Sequence, residues 1–259
     1  MTFSAQIRTL CRYPIKGLSA ESLGSTRLAA GEPVTADRLY AIENGPCGFD
    51  PAAPAYFPKI RFLMLMQNES LARLDTHFDD TTHELTVRQD GRAVASGNLR
   101  TADGRAAIEA FFASYCAAEL RGPPKILHAP GHSFSDVARK VVSIINLSSL
   151  AAIENLVDQP VHPLRFRANL YVSGWPAWHE FELLDRTLAV GAVRLKVVKR
   201  ITRCAAINVD PETAARDLNI PQALMRRLGH ADCGVYAEVA AGGIIAAGDA
   251  IVECQPSLV

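Results

Sequence analysis

A cysteine set among cations is the first residue in this chain with chemistry to offer. Cys204 ends the run KVVKRITRC, with Lys199, Arg200 and Arg203 close by and the Asp-Pro turn of VDPET a few residues on. Neighbouring cations stabilise a thiolate, and the thiolate is the form that binds metal or attacks an electrophile. The plainer reading is a core thiol beside surface basics, the default for any of the six cysteines at 11, 47, 116, 204, 233 and 254. A second concentration is LRFRAN at 164–169. On a strand, Arg165 and Arg167 would project to one side, with Asn169 two residues further on. Guanidinium forks grip oxyanions and an asparagine amide can read a heterocycle edge, whereas two solvated arginines on an edge strand would do neither. Near the start, YPIKG places Lys16 on a Pro/Gly-shaped turn, and the pair Asp37-Arg38 precedes LYAI; each alone reads as a solvent-facing charge. The seven histidines show no metal-binding spacing and read as ordinary structural or surface residues, although His230, just before GVYAEV, could reach the pocket. Glu180 and Glu182, on alternate positions beside Trp178, read as surface carboxylates.

The elements that must position these residues are mostly short strands. Apolar runs at 6–11, 25–28 and 39–43 alternate with Gly and Pro, and GPCGFDPAAPAYFP at 45–58 forbids regular pairing, so an ordered loop is expected there. Helices are expected at about 67–76 and 102–117, the second capped by Thr101 or Asp103. Between them ELTVRQ and AVASG predict a hairpin turning at Asp90-Gly91. Gly122-Pro123-Pro124 marks a candidate boundary, giving halves at 1–122 and 123–259. The second half predicts a strand at 141–145, a helix at about 149–156 capped by Ser148 and Ser149, and strands at 169–172, 187–190 and 194–198. A final hairpin is expected at the Gly-Gly of GVYAEVAAGGIIAAGDAIV. The fold class that fits is mainly β with peripheral helices (α+β), built around a barrel.

Composition narrows the function classes. The 259 residues carry 27 Lys+Arg against 27 Asp+Glu, so the chain lacks the cationic excess that draws proteins to nucleic acid or anionic membranes. A phosphate-bearing ligand would have to be met by local clusters. No apolar run reaches bilayer length and the first residues have no signal-peptide core, which predicts a cytoplasmic protein without membrane contact. There is no C-x-x-C pair, no G-x-G-x-x-G, no G-x-x-x-x-G-K-[ST] and no ferredoxin-type cysteine spacing.

Together these places resemble the MOSC-domain proteins that carry an N-terminal β-barrel half, the group containing the C-terminal domain of molybdenum cofactor sulfurase and the mitochondrial amidoxime-reducing component. The first half is similar through YPIKG, DRLYAI and FDPAAPAYFPK. The second is similar through FSD at 134–136, INLSSL at 145–150, RFRAN, TRC at 202–204, VDPET, GVYAEV and GDAI. The resemblance implies an N-terminal β-barrel-like half followed by a MOSC β-barrel half. It implies a molybdenum cofactor (molybdopterin) with Cys204 as catalytic residue and metal ligand. Lys16 and Arg38 would meet the cofactor phosphate, and Arg165, Arg167 and Asn169 the pterin and phosphate. Thr202 and Arg203 would shape the metal end, and Asn146 and Ser149 would line the same cavity. The implied activity is reduction of N-hydroxylated or N-oxygenated small molecules, with electrons from a separate protein. The alternatives are a persulfide-bearing sulfur carrier of the sulfurase type, or a non-catalytic cofactor carrier. Pyridoxal phosphate is not expected, since in the sulfurase it belongs to a separate lyase domain. Three positions depart from what the resemblance leads one to expect: Gly17 stands where the animal proteins have a serine, Ala168 where many members have proline and Ala214 where many have glycine.

Overall fold

The computed structural model describes residues 3–254. The first half contains β1 (Ala5–Arg12), β2 (Glu21–Leu23), β3 (Ser25–Leu28), β4 (Ala41–Asn44), β5 (Leu74–Phe78), β6 (Glu84–Gln89), β7 (Arg92–Asn98) and α1 (Ala102–Tyr115), and β8 (Pro124–Leu127) follows just past residue 122 to pair with β4. The second contains β9 (Val142–Asn146), α2 (Leu147–Val157), β10 (Leu170–Ser173), β11 (Thr187–Val190), β12 (Val193–Thr202), α3 (Ile220–Leu228), β13 (Asp232–Ala241), β14 (Gly243–Ala246) and β15 (Ala250–Glu253). The fold is mainly β with peripheral helices.

A closed ring of strands runs β10-β9-β13-β12-β11-β15-β1, and the pairing of β1 with β10 shuts it. Its interior is filled by period-two alternation: Val193, Leu195 and Val197 of β12 point inward while Arg194 and Lys196 do not. Only β9 and β10 run parallel within the ring, and α2 makes the crossover that such a pair requires. Sheet pairing crosses residue 122, because β1 belongs to the ring and β3 pairs with β14. The first half's own core lies between the β5-β6-β7 sheet and α1, filled by Leu74, Phe78, Leu85, Val87, Ile108 and Phe112. Gly97 on β7 and Gly104 on α1 let helix and strand touch backbone to backbone, since a Cβ on Gly104 would lie 2.2 Å from the Asn98 carbonyl oxygen.

Several local expectations hold and several do not. The β6–β7 hairpin turns at Asp90-Gly91, both with positive φ as a type I′ turn needs. Thr101 caps α1 by accepting from the Gly104 amide. The helix expected at 67–76 is instead a 3-10 turn, Glu69–Arg73, followed by β5. There Leu74, Thr76 and Phe78 are buried while Asp75 and His77 face out, a period of two that helical spacing cannot satisfy. α2 starts at Leu147 and is capped by Asn146, whose Oδ1 accepts from the Ser148 amide, so neither Ser148 nor Ser149 is the cap. RFRAN is not a strand: Pro163–Phe166 is a 3-10 turn and Arg167 ends it in the left-handed region. The Gly-Gly at 242–243 does not close a hairpin, because β14 leaves β13 to pair with β3.

Candidate cofactor site

A cleft of about 250 Å³ opens between the end of β12, the YPIKG turn and the irregular segment at 129–141 before β9. Two breaks of register against β13, between Val197 and Lys199 and between Arg200 and Thr202, re-aim the end of β12. Lys199 to Cys204 therefore all border the cleft, where a regular strand would alternate. Cys204 is extended and leads into the 3-10 turn Ala205–Asn208. Its Sγ receives Lys59 Nζ at 3.1 Å. The Thr202 hydroxyl donates to Asp232 at 2.7 Å. Arg203 donates from Nε to the Cys233 carbonyl and from Nη1 to the Phe166 carbonyl, both at 2.8 Å, leaving buried Nη2 without a partner.

Lys16 is only 5% exposed, and its ammonium donates to the Phe134 carbonyl at 2.8 Å and to Asp136 Oδ1 at 2.5 Å. Burial pushes the Lys16 pKa down, against the raising effect of Asp136. Burial opposes the Asp136 charge as well, yet Lys16 and Lys59 hold its carboxyl well below the usual carboxylate range. The turn reaches this position through Gly17, with φ +88°, where a Cβ would lie 2.6 Å from the Leu63 carbonyl oxygen, so a side chain such as serine's has no room here.

Arg38 and Arg167 are both held in left-handed backbone, φ 51°, a conformation worth about 1 kcal/mol of strain that concentrates at functional sites. Both guanidiniums lie against the ring of Tyr13, their Cζ atoms 4.8 and 4.4 Å from its centroid. Arg38 pairs with Asp37, which in turn accepts from the Tyr13 amide, and its Nη2 donates to the Arg167 carbonyl at 2.9 Å. Among the described residues, the Arg167 guanidinium has no hydrogen-bond or ion-pair partner, and burial pushes its pKa down. Ala168 donates its amide to the Tyr171 hydroxyl at 3.0 Å, a bond that a proline at this position could not make. Ala214 has a positive φ, 60°, which a glycine would adopt without strain.

The expected residues do not all gather here. Lys16, Arg38, Arg167, Thr202, Arg203 and Cys204 share the cleft. Arg165 reaches its wall, but its two terminal nitrogens are spent on Asp210 and Asp217, both at 2.8 Å, and on the Asn208 carbonyl, with only buried Nε left without a partner. Asn169 also borders the cleft; its Oδ1 accepts from Ser143 amide and hydroxyl and its Nδ2 donates to the Cys11 carbonyl, leaving one N–H to offer. Asn146 and Ser149 lie away from the cleft, fully buried and donating to Glu180 Oε2 at 3.0 and 2.9 Å. Glu180 is thus a buried acceptor and not a surface carboxylate. His230 packs on Trp178 and Phe181 and accepts from the Asp232 amide, outside the cleft. Sequence reasoning assigned no role to Lys59 or Asp136, although both stand in the motifs FPK and FSD; Lys59 and Cys204 are 145 positions apart, and no spacing rule joins them.

Two family models match the chain: the MOSC N-terminal beta barrel domain over residues 4–118 and the MOSC domain over 129–252. The chain belongs to the MOSC-domain proteins. Comparison with curated proteins returns no match. Among solved structures, the YuaD protein of Bacillus subtilis is similar at 12% identity and a TM-score of 0.48, covering 99% of each chain. YiiM of Geobacillus stearothermophilus is similar at 19% identity and a TM-score of 0.36, over 45% of this chain and 55% of that one. YiiM of Escherichia coli is similar at 16% and 0.33, over 44% and 54%. MOSC domains are associated with molybdenum-cofactor binding in general, and no helix among the described residues is long and apolar enough to cross a membrane.

Proposed function

We propose that this MOSC protein is a cytoplasmic oxidoreductase that binds molybdopterin with molybdenum and reduces N-hydroxylated or N-oxygenated small molecules, drawing electrons from a separate protein. The observation that carries the reading is one cleft holding the Cys204 thiol together with cations that the chain leaves underpaired, above all Arg167. The residues present fit the group. No cluster of three or more His, Cys, Asp or Glu among the described residues could hold a bare ion, so a metal here needs a chelator that brings its own donors. A soft thiolate suits such a metal, and Lys16, Arg38, Arg167 and the free Nη2 of Arg203 suit an anionic tail. When bound, the cofactor supplies two-electron oxygen-atom chemistry.

The chain's own residues do the rest. Lys16, Arg38 and Arg167 bind the phosphate end by charge-assisted hydrogen bonds, with Tyr13 fixing the two guanidiniums. Cys204 holds the metal end. Lys59, whose ammonium lies 3.1 Å from the Cys204 Sγ, can hold a proton there for a substrate that loses its N-oxygen as water.

The test is metal and pterin analysis of protein made in a host with intact cofactor synthesis, wild type beside Cys204→Ala. Near-stoichiometric molybdenum and pterin in the wild type, with the metal lost in the variant, is the expected result. Amidoxime reduction with an artificial electron donor then separates an enzyme from a cofactor carrier. A wild type carrying neither metal nor pterin sinks the reading and leaves sulfur transfer through a Cys204 persulfide in its place.

A further inference from the structure

Asp136 is out of place in a cleft built for anions. Its side chain is 46% exposed and sits on the segment between β8 and β9 that has no regular structure, yet it takes Lys16 at 2.5 Å and faces Lys59 at 3.5 Å. The segment is anchored just before it. The Phe134 amide donates to the Arg38 carbonyl at 2.8 Å, and the Phe134 ring packs between Phe49, Phe62 and His132 with centroids 4.7–5.6 Å away. Beyond that anchor, Asp136 itself is tied to the first half by a single backbone contact, the Tyr56 hydroxyl donating to its carbonyl at 3.2 Å.

A buried ammonium without a counter-charge is expensive, so Lys16 needs an anion whenever the cleft holds no ligand. Asp136 provides one. A ligand oxyanion reaching for the same ammonium meets the carboxylate already there, and two like charges at that separation repel. We infer that Asp136 is a specificity-determining residue, an internal counter-ion that occupies Lys16 and Lys59 and so keeps small free oxyanions such as inorganic phosphate out of the cleft. A ligand displaces it only when further anchors repay the exchange, here Arg38 and Arg167 on its anionic end and Cys204 beyond. Half exposure lets the carboxylate turn into water when that happens. The inference deepens the cofactor reading and rests on it for the identity of the larger ligand. The exclusion of free oxyanions is a property of the chain alone.

The test is calorimetric titration of inorganic phosphate into full-length protein made in a host that lacks cofactor synthesis, comparing wild type with Asp136→Asn, Asp136→Ser and Asp136→Glu. The Asn and Ser variants are expected to bind phosphate about tenfold tighter or better, because a like charge at a half-exposed position is gone. The Glu variant, which keeps the charge, is expected to match the wild type, which separates charge from packing. Made in a host with intact synthesis, the Asn variant is expected to carry less pterin when phosphate is present during purification. Equal phosphate affinity in wild type, Asn and Ser variants overturns the inference, even where the wild type carries its cofactor. A wild type without cofactor whose Asn variant gains phosphate affinity leaves the inference standing and removes the cofactor reading alone.

Discussion

The knot around Glu180 and the cleft around Cys204 lie on one barrel and both withdraw ionisable groups from water, but they settle the cost in opposite ways. At the knot the donors find acceptors within the chain, and only Oε1 of Glu180 is left over: Asn146 and Ser149 donate to Glu180 Oε2, Ser149 accepts from the Trp178 amide at 2.8 Å, and Asn146 also donates to the Pro176 carbonyl at 2.7 Å. These bonds tie the end of β9 and the start of α2 to the turn at His179–Phe181. In the cleft the cations outnumber the carboxylates that face them: among the described residues the Arg167 guanidinium has no hydrogen-bond or ion-pair partner, and Nη2 of Arg203 is idle. Buried polar groups mark structure when their partners are internal, and a binding site when partners are lacking.

Arg165 and Arg167 put that contrast two residues apart, and replacing each with alanine is the strongest way to break it. Arg165→Ala strands Asp210 and Asp217 and is expected to lower stability by roughly 3 kcal/mol, since one member of a largely buried ion network is removed. Arg167→Ala strands nothing and should stay within about 1 kcal/mol of wild type. It should instead lose pterin during purification, while Arg165→Ala should retain it in whatever fraction folds. Urea unfolding with pterin analysis of both variants checks this; a larger stability loss for Arg167→Ala would reverse the assignment.

The knot yields the next effect. Glu180→Ala leaves two buried donors without an acceptor and is expected to destabilise the fold by about 2 kcal/mol. Pterin content per folded molecule should not change, because neither Asn146 nor Ser149 reaches the cleft. A loss of pterin out of proportion to the unfolding would return those two residues to the site.

Whether a residue belongs to the knot or to the cleft was only partly legible in the sequence. Strand alternation located most of the β elements, because period two is a local property. The motifs carried by resemblance brought Lys16, Arg38, Arg167 and Cys204 to one place. The order of the ring was not legible, since β1 closes it against β10 more than 150 positions away, and no local pattern encodes such a pairing. RFRAN misled for a physical reason: alternate arginines look like one face of a strand, but Pro163 starts a 3-10 turn and Arg167 enters left-handed backbone, so the two guanidiniums part. Glu180 misled because a lone carboxylate beside tryptophan carries no sign of the asparagine and serine that would bury it, 34 and 31 positions earlier.

The smallest expected effect sharpens the comparison by titration. Burial pushes the Glu180 carboxyl above the usual carboxylate range, against the lowering effect of the Asn146 and Ser149 hydrogen bonds. The folded state therefore keeps its proton at pH values where the unfolded chain has released it. Stability from this group is full below the unfolded pKa, about 4.3, and is lost as pH rises from there through the folded value. Glu180→Gln cannot release a proton. Its carbonyl can take the place of Oε2, and its amide that of Oε1, which has no partner now. The variant should match the wild type at low pH and gain on it by about 1 kcal/mol or less between about pH 5 and 7, the limit for one proton being ~1.4 kcal/mol per pH unit. Thermal melts of both proteins across that range decide it. A difference that shrinks as pH rises would mean that Glu180 is ionised in the fold, and the knot would then be an anion site that the chain fills for itself, much as Asp136 fills the cleft.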